Sequence, residues 1–146
     1  MKRVAVVSLG VILLLAGTLR GSLQGAKAEP NLEKRSKLAL DNAEQALTEA
    51  RAAYSRGDSA QVEARAMEIR ESVELAETSL HQPGKNPRKS QGFKHAEIVT
   101  RGLLRRLDSF QQEMSAADRP MLDGVKGEVQ QAHDHLLLGV LGSKEK

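Results

Sequence analysis

The sequence predicts an all-α protein, and three observations support this class. From about residue 30 onward, apolar residues recur at alternating spacings of three and four, which is typical of helices that bury one stripe of side chains. The period-two alternation that strands show is missing from the same stretch. Aromatic residues make up only 2% of the chain, so the core must be built mainly from Leu, Ala and Val. Four such stretches, joined by two short links and one long link, predict an antiparallel up-down-up-down four-helix bundle.

The stretch before these helices has the order of a secretory signal peptide. Two basic residues precede an apolar run at residues 4–17, which is shorter than the roughly 20 residues of a membrane span. Ala26 and Ala28 then give the small-x-small pattern of a processing site. We predict cleavage after Ala28, which makes residues 1–28 a signal peptide and residues 29–146 the helical domain. The alternative is an uncleaved signal anchor in the inner membrane.

Export changes the charge balance and the environment of the chain. Four of the 22 Lys and Arg residues lie in the leader, which has no acid, so residues 29–146 carry 18 basic against 19 acidic residues. This balance removes the general electrostatic case for nucleic-acid binding. The chain has no Cys, so neither a disulfide framework nor a lipidated cysteine is expected. The predicted location is the periplasm or the medium.

The first two helices have recognisable ends. Asn31 is a predicted N-cap and Gly57 a predicted C-cap glycine. Asp58 and Gln61 have the form of a capping box that opens the second helix, and Pro83 ends it. The predicted buried stripes are Leu40, Ala43, Leu47, Ala50 and Tyr54 in the first helix, and Val62, Ala66, Ile69, Val73, Ala76 and Leu80 in the second.

The last two helices follow the long link. Either Ser90 or Gly92 is the predicted cap of the third helix. Asp118 is the predicted N-cap of the fourth, because Pro120 is tolerated only in the first turn of a helix. The fourth helix is predicted to end at Gly142. The buried stripes are Phe93, Ala96, Leu103, Leu107, Phe110 and Met114 in the third helix, and Leu122, Val125, Val129, Ala132, Leu136 and Val140 in the fourth.

One turn suggests a different helical fold. Residues 52–61, AAYSRGDSAQ, resemble the turn between the two helices of a tetratricopeptide unit. The alternative fold is therefore two stacked helical hairpins. A second copy at the roughly 34-residue period of those repeats does not follow, so the four-helix bundle remains the main prediction.

The long link, HQPGKNPRKSQGFKH at residues 81–95, is the first candidate site. It has no acid and carries four basic residues that could contact an anionic partner: Lys85, Arg88, Lys89 and Lys94. Such a partner could be lipid head groups, a cell-wall polymer or an acidic protein. No aromatic platform for nucleic-acid bases accompanies these charges. The alternative is a solvated link whose prolines and glycines keep two helices apart.

The end of the fourth helix is the second candidate site. Its sequence HLLLGVLG is apolar nearly all round, whereas one buried face needs only Leu136 and Val140 there. Leu137, Leu138 and Leu141 are therefore predicted to form a protein contact, and a homodimer is the simplest use of such a patch. The alternative is that this end of the helix sits deeper in the bundle or frays.

Metal, cofactor and enzyme chemistry find no support in the residue spacing. His133 and His135 are two residues apart and point to different sides of a helix, and no Glu-x-x-His pair of the di-iron type is present. His133 is predicted at the edge of the buried stripe with its ring reaching water. We predict a cofactor-free, metal-free and non-enzymatic protein. The alternative is a periplasmic enzyme or metal-binding bundle with an unrecognised site.

Several motifs in residues 84–139 carry a resemblance. The motifs GKNPRKS, LLRRLDSF, DRPMLDGVK and HDHLLLG are similar to those of small exported helical proteins of environmental bacteria, a group to which no activity is assigned. Spy-like periplasmic chaperones are a more distant likeness. Their Leu-Thr-x-x-Gln motif is met here by Leu47 and Thr48, but Arg51 stands where Gln is expected. The first resemblance supplies no activity, and the second is one of architecture only. From the predicted cofactor-free helical bundle itself we expect a role by contact, as a scaffold, adaptor or chaperone-like factor.

Overall fold

The computed structural model describes residues 22–82 and 84–142, and all regular structure in these two stretches is helical. The predicted all-α class is confirmed. The helices are α1 (Leu23–Ala28), α2 (Leu32–Ser55), α3 (Ser59–Leu80), α4 (Gln91–Glu113) and α5 (Asp123–Leu141), with short 3-10 turns at Pro87–Lys89 and Arg119–Leu122. The described helices include none that is long and apolar enough to span a bilayer.

Three of the predicted N-caps are confirmed. The side-chain oxygen of Asn31 accepts a hydrogen bond from the Lys34 N–H at 2.9 Å, and Asp58 accepts one from Gln61 at 3.2 Å. Ser90, and not Gly92, caps α4. Each cap satisfies a backbone donor that the helix itself leaves free.

The predicted cap of the last helix is wrong. A 3-10 turn follows Asp118, and α5 begins only at Asp123. Asp118 makes no capping hydrogen bond, because its carboxylate accepts hydrogen bonds from the hydroxyls of Tyr54 at 3.0 Å and Ser115 at 2.8 Å. The residue therefore ties the link after α4 to the end of α2.

The predicted stripes form a single core. Every predicted stripe residue is buried except Tyr54 and Val140, which are half-buried and pack against the same core. Phe110 is fully buried, and its ring meets the edge of Tyr54 at a centroid distance of 5.8 Å. Small side chains such as Ala39, Ala46 and Ala53 line the face of α2 and are buried, which lets a neighbouring helix approach closely.

The helices do not pack as a ring in which each helix lies beside the helices next to it in sequence. The hairpins α2–α3 and α4–α5 lie side by side, so that α2 runs parallel to α4 and α3 runs parallel to α5. Arg106 donates to the Thr48 hydroxyl at 2.9 Å between the first pair. Arg70 donates to Glu128 at 2.8 Å between the second pair. By contrast, α3 has little direct contact with α4 and lies diagonally opposite it.

This arrangement explains the long link. The chain must cross the end of the bundle diagonally to pass from α3 to α4. On the way, Lys85 approaches Glu33 in the first turn of α2, and Pro87 packs on Gly139 near the end of α5. The link therefore covers the end of the core between α2 and α5.

The short helix α1 falls inside the predicted signal peptide. Ser22 caps it, since its hydroxyl oxygen accepts a hydrogen bond from the Gly25 N–H at 3.1 Å. Leu23 and Ala26 are buried, and the helix contacts α2 and α3. The apolar run at residues 4–17 lies outside the described residues, as do residues 143–146.

Candidate functional site

The basic link holds its charges on a defined turn. Asn86 caps the 3-10 turn at Pro87–Lys89, because its side-chain Oδ1 accepts a hydrogen bond from the Arg88 N–H at 3.0 Å. The backbone N–H of Lys89 also donates to the Asn86 carbonyl at 3.1 Å. The turn therefore fixes the backbone positions of Arg88 and Lys89, although the side chains of both residues are exposed.

The four predicted basic residues do not share one environment. The Lys85 ammonium lies 3.6 Å from a Glu33 carboxylate oxygen, and both side chains are about half exposed. This ion pair turns Lys85 towards α2. Lys89 and Lys94 are exposed, so their charges face solvent.

Arg88 lies against the end of α5. A Cβ built on Gly142 would be 2.6 Å from Arg88 Nε and 2.8 Å from Arg88 Cζ, so the guanidinium rests directly on this glycine. Pro87 and Phe93 contact Gly139 similarly, with a built Cβ 3.2 Å from a carbon of each. The last turn of α5 and the basic turn are therefore neighbours, although the sequence presented them as two separate candidates.

The last turn of α5 carries exposed leucines. Leu138 is 57% exposed and Leu141 is 61% exposed, whereas Leu137 is half-buried. Full burial of a leucine is worth roughly 1.5–3 kcal/mol, so two leucines on one turn form an apolar patch that a partner could cover. We define the basic–apolar surface as Arg88, Lys89, Lys94, Leu138 and Leu141.

On α5 an acidic residue borders the basic–apolar surface. Asp134 lies one helical turn before Leu138 and is exposed. Its carboxylate accepts a hydrogen bond from Gln130 at 2.8 Å. Contact with a negatively charged partner is therefore favoured at the last turn of α5 and disfavoured further along the helix.

A buried polar cluster joins α4 to α5. The His133 Nδ1 is 3.2 Å from the Thr100 hydroxyl and 4.0 Å from a Glu97 carboxylate oxygen. All three residues are buried, so the prediction that the His133 ring reaches water is wrong. The Thr100 hydroxyl also donates to the Ala96 carbonyl at 2.8 Å. The neighbour that satisfies the histidine is on another helix, which spacing along α5 could not show.

A second polar cluster lies between α2 and α3. The Asn42 amide donates to the Ser72 hydroxyl at 2.9 Å and to the Glu68 carboxylate at 3.0 Å. Asn42 and Ser72 are buried. Because their hydrogen-bonding groups are satisfied by each other and by Glu68, this cluster holds the hairpin together and leaves no polar group aimed at a ligand.

The histidines are dispersed over the described part of the chain. Within residues 22–82 and 84–142, no three His, Asp or Glu side chains lie close enough to bind a metal ion together. His135 pairs with the Glu77 carboxylate at 2.8 Å, and His81 bonds the Glu77 backbone carbonyl at 2.8 Å. The first contact joins α5 to α3, and the second lies within the C-terminal end of α3.

Comparison of the chain with protein-family models, with curated proteins and with solved structures returns no match. The helical fold and the chemistry of the basic–apolar surface are therefore the features that point to a function.

Proposed function

We propose that this is an exported, non-enzymatic helical bundle that acts by contact with an anionic surface of the cell envelope, as a scaffold, adaptor or chaperone-like factor. The observation that carries the proposal is the position of Arg88 on Gly142. This contact places the Arg88 guanidinium beside the last turn of α5, which carries the two exposed leucines.

The combination of charges and leucines favours an anionic lipid surface as the partner. Basic residues near such a membrane contribute about 1 kcal/mol each, and leucines gain further free energy by entering the boundary between head groups and acyl chains. Neither term alone gives stable attachment, but the two act on the same face here. Reversible, salt-dependent binding is the expected behaviour.

The location of the protein follows from the same proposal. We propose export of the chain and removal of residues 1–28, with a signal anchor as the alternative form. Either form would bring the folded domain to the outer side of the inner membrane, where anionic lipid is within reach.

Co-sedimentation with lipid vesicles tests this function. The native protein should bind phosphatidylglycerol-containing vesicles, and replacing Arg88, Lys89 and Lys94 with Ser should weaken binding about a hundredfold, since three charges at about 1 kcal/mol each are removed. The matched control replaces Lys37, Arg56 and Arg119, which are exposed elsewhere. Equal binding by both triple variants would show that the surface has been misplaced.

Self-association through the leucines is the other use of this patch. Leu138 and Leu141 are exposed on one helix, and a twofold pair would use the same patch twice. A concentration-dependent dimer that does not bind vesicles would favour a homodimer over the lipid contact.

A further inference from the structure

The predicted processing sequence is folded into the domain. Ala26, Lys27 and Ala28 are the last three residues of α1, and Ala26 is only 1% exposed. In extended backbone, residues two apart point to the same side, as recognition of a small-x-small pattern requires. In a helix they are roughly 200° apart, so the helical form separates the two alanines that a processing enzyme must read together.

The bond to be cut is also held from its other side. The Glu29 carbonyl accepts a hydrogen bond from Arg35 Nε at 2.7 Å. The Glu29 carboxylate lies 2.9 Å from the Lys34 ammonium and accepts a hydrogen bond from the Asn31 N–H at 3.1 Å. These contacts, with that of Lys34 the largest, lower the pKa of the Glu29 carboxyl. Both sides of the Ala28–Glu29 bond are thus fixed by contacts of the folded chain.

The surroundings of α1 are formed by the first hairpin. Lys27 lines a surface groove together with Glu71, Glu74, Leu75 and Thr78 of α3. The negative charges of the two glutamates attract the lysine and therefore favour docking of α1 against α3. The helix is too short to be stable alone in water, so its form depends on this packing.

We propose that docking of α1 masks the processing site, so that folding and cleavage compete for the same residues. Cleavage adds water across the Ala28–Glu29 peptide bond and leaves a carboxylate on Ala28 and an ammonium on Glu29. A chain cut before it folds is released without α1. A chain that folds first keeps residues 1–28 and stays attached through its N-terminal apolar run. This inference rests on the proposed export and is independent of the basic–apolar surface.

Purified signal peptidase in detergent micelles tests the proposal. The full chain is compared with a synthetic precursor of residues 1–40, which has the same bond but lacks α3. Because proteolysis needs local opening of the folded segment, the folded chain should be cut at Ala28–Glu29 at least about tenfold more slowly, as read by mass spectrometry. Equal rates for the two substrates would overturn the proposal.

A substitution in α2 distinguishes masking of the processing site by the fold from recognition of its sequence by the peptidase. Arg35→Ala removes the hydrogen bond to the Glu29 carbonyl without altering residues 26–28, and should speed cleavage of the full chain several-fold. Lys37→Ala, an exposed change on the same helix, should leave the rate unchanged, and circular dichroism reports whether each variant folds. If Arg35→Ala does not fold, the cleavage rates of the native chain and the precursor still show whether folding masks the site. Failure to cut the precursor at this bond would overturn the processing site itself and leave the surface at the end of α5 unaffected.

Discussion

Truncation of Leu107 tests the core of α4 most sharply. Leu107 is fully buried, and its neighbours one turn away, Leu103 and Phe110, are fully buried as well. A Leu→Ala change in a core costs about 2–5 kcal/mol, with larger costs where the site cannot collapse. Because the whole turn is closed to water, we expect Leu107→Ala to cost about 3–4 kcal/mol. At roughly 3–5 °C per kcal/mol for a domain of this size, the melting temperature should fall by about 9–20 °C.

The control is Leu104, three residues earlier on the same helix. Leu104 is half-buried and packs at the edge of the core, so Leu104→Ala should cost roughly 1 kcal/mol. Thermal unfolding followed by far-UV circular dichroism measures both variants. Equal melting temperatures would show that the buried stripe of α4 has been assigned to the wrong face.

Three further changes probe other parts of the structure. Hydrogen bonding and charge from Arg51 lower the pKa of the Glu113 carboxyl. The pair therefore stabilises the fold at pH values above the pKa that Glu113 has in the unfolded chain. This stabilisation is lost as the pH falls through the lower pKa that Glu113 has in the folded chain. Arg51→Gln should therefore raise the pKa of Glu113 in an NMR titration, and an unchanged value would contradict the pairing. Replacing Leu138 and Leu141 with Gln should leave the melting temperature nearly unchanged, because both are exposed, while weakening vesicle binding; a large loss of stability would show that they are core residues. Gly142→Ala should displace the adjacent guanidinium and reduce vesicle binding, since the glycine has a φ of 75° and no room for a Cβ; unchanged binding would argue against the joined surface.

The sequence was sufficient for α2, α3 and α4 and for the buried faces of the long helices, although it missed α1 and placed the start of α5 too early. Asn31, Asp58 and Ser90 cap helices as predicted, because capping is a local interaction between residues three apart. The stripes were also predictable, since a spacing of three and four selects one face of a helix.

The partners of each face were not predictable in the same way. Periodicity shows that Thr48 and Arg106 are on helix surfaces, but not that α2 and α4 are neighbours. His133 lies at the edge of its stripe, and only the position of Thr100 on another helix explains its burial. Non-local contacts of this kind depend on how the hairpins pack.

For the basic–apolar surface, too, the residues could be predicted from the sequence but their proximity could not. The sequence identified Arg88 and Leu138 individually, from a run without acids and from a helix that is apolar all round. Their proximity depends on the link crossing the end of the bundle to reach Gly142. Likewise, α1 was missed because the residues near Ala26 have the composition of a signal peptide, and composition does not show docking against α2 and α3.

Mapping the face that approaches an anionic membrane tests the central claim most directly. NMR spectra of the native protein are recorded with phosphatidylglycerol-containing vesicles that carry a spin-labelled lipid. Amide signals should broaden most strongly at residues 88–94 and 137–142, and the broadening should disappear at high salt. Broadening centred on the opposite end of the bundle, at residues 56–58 and 115–119, or no broadening at low salt, would contradict it.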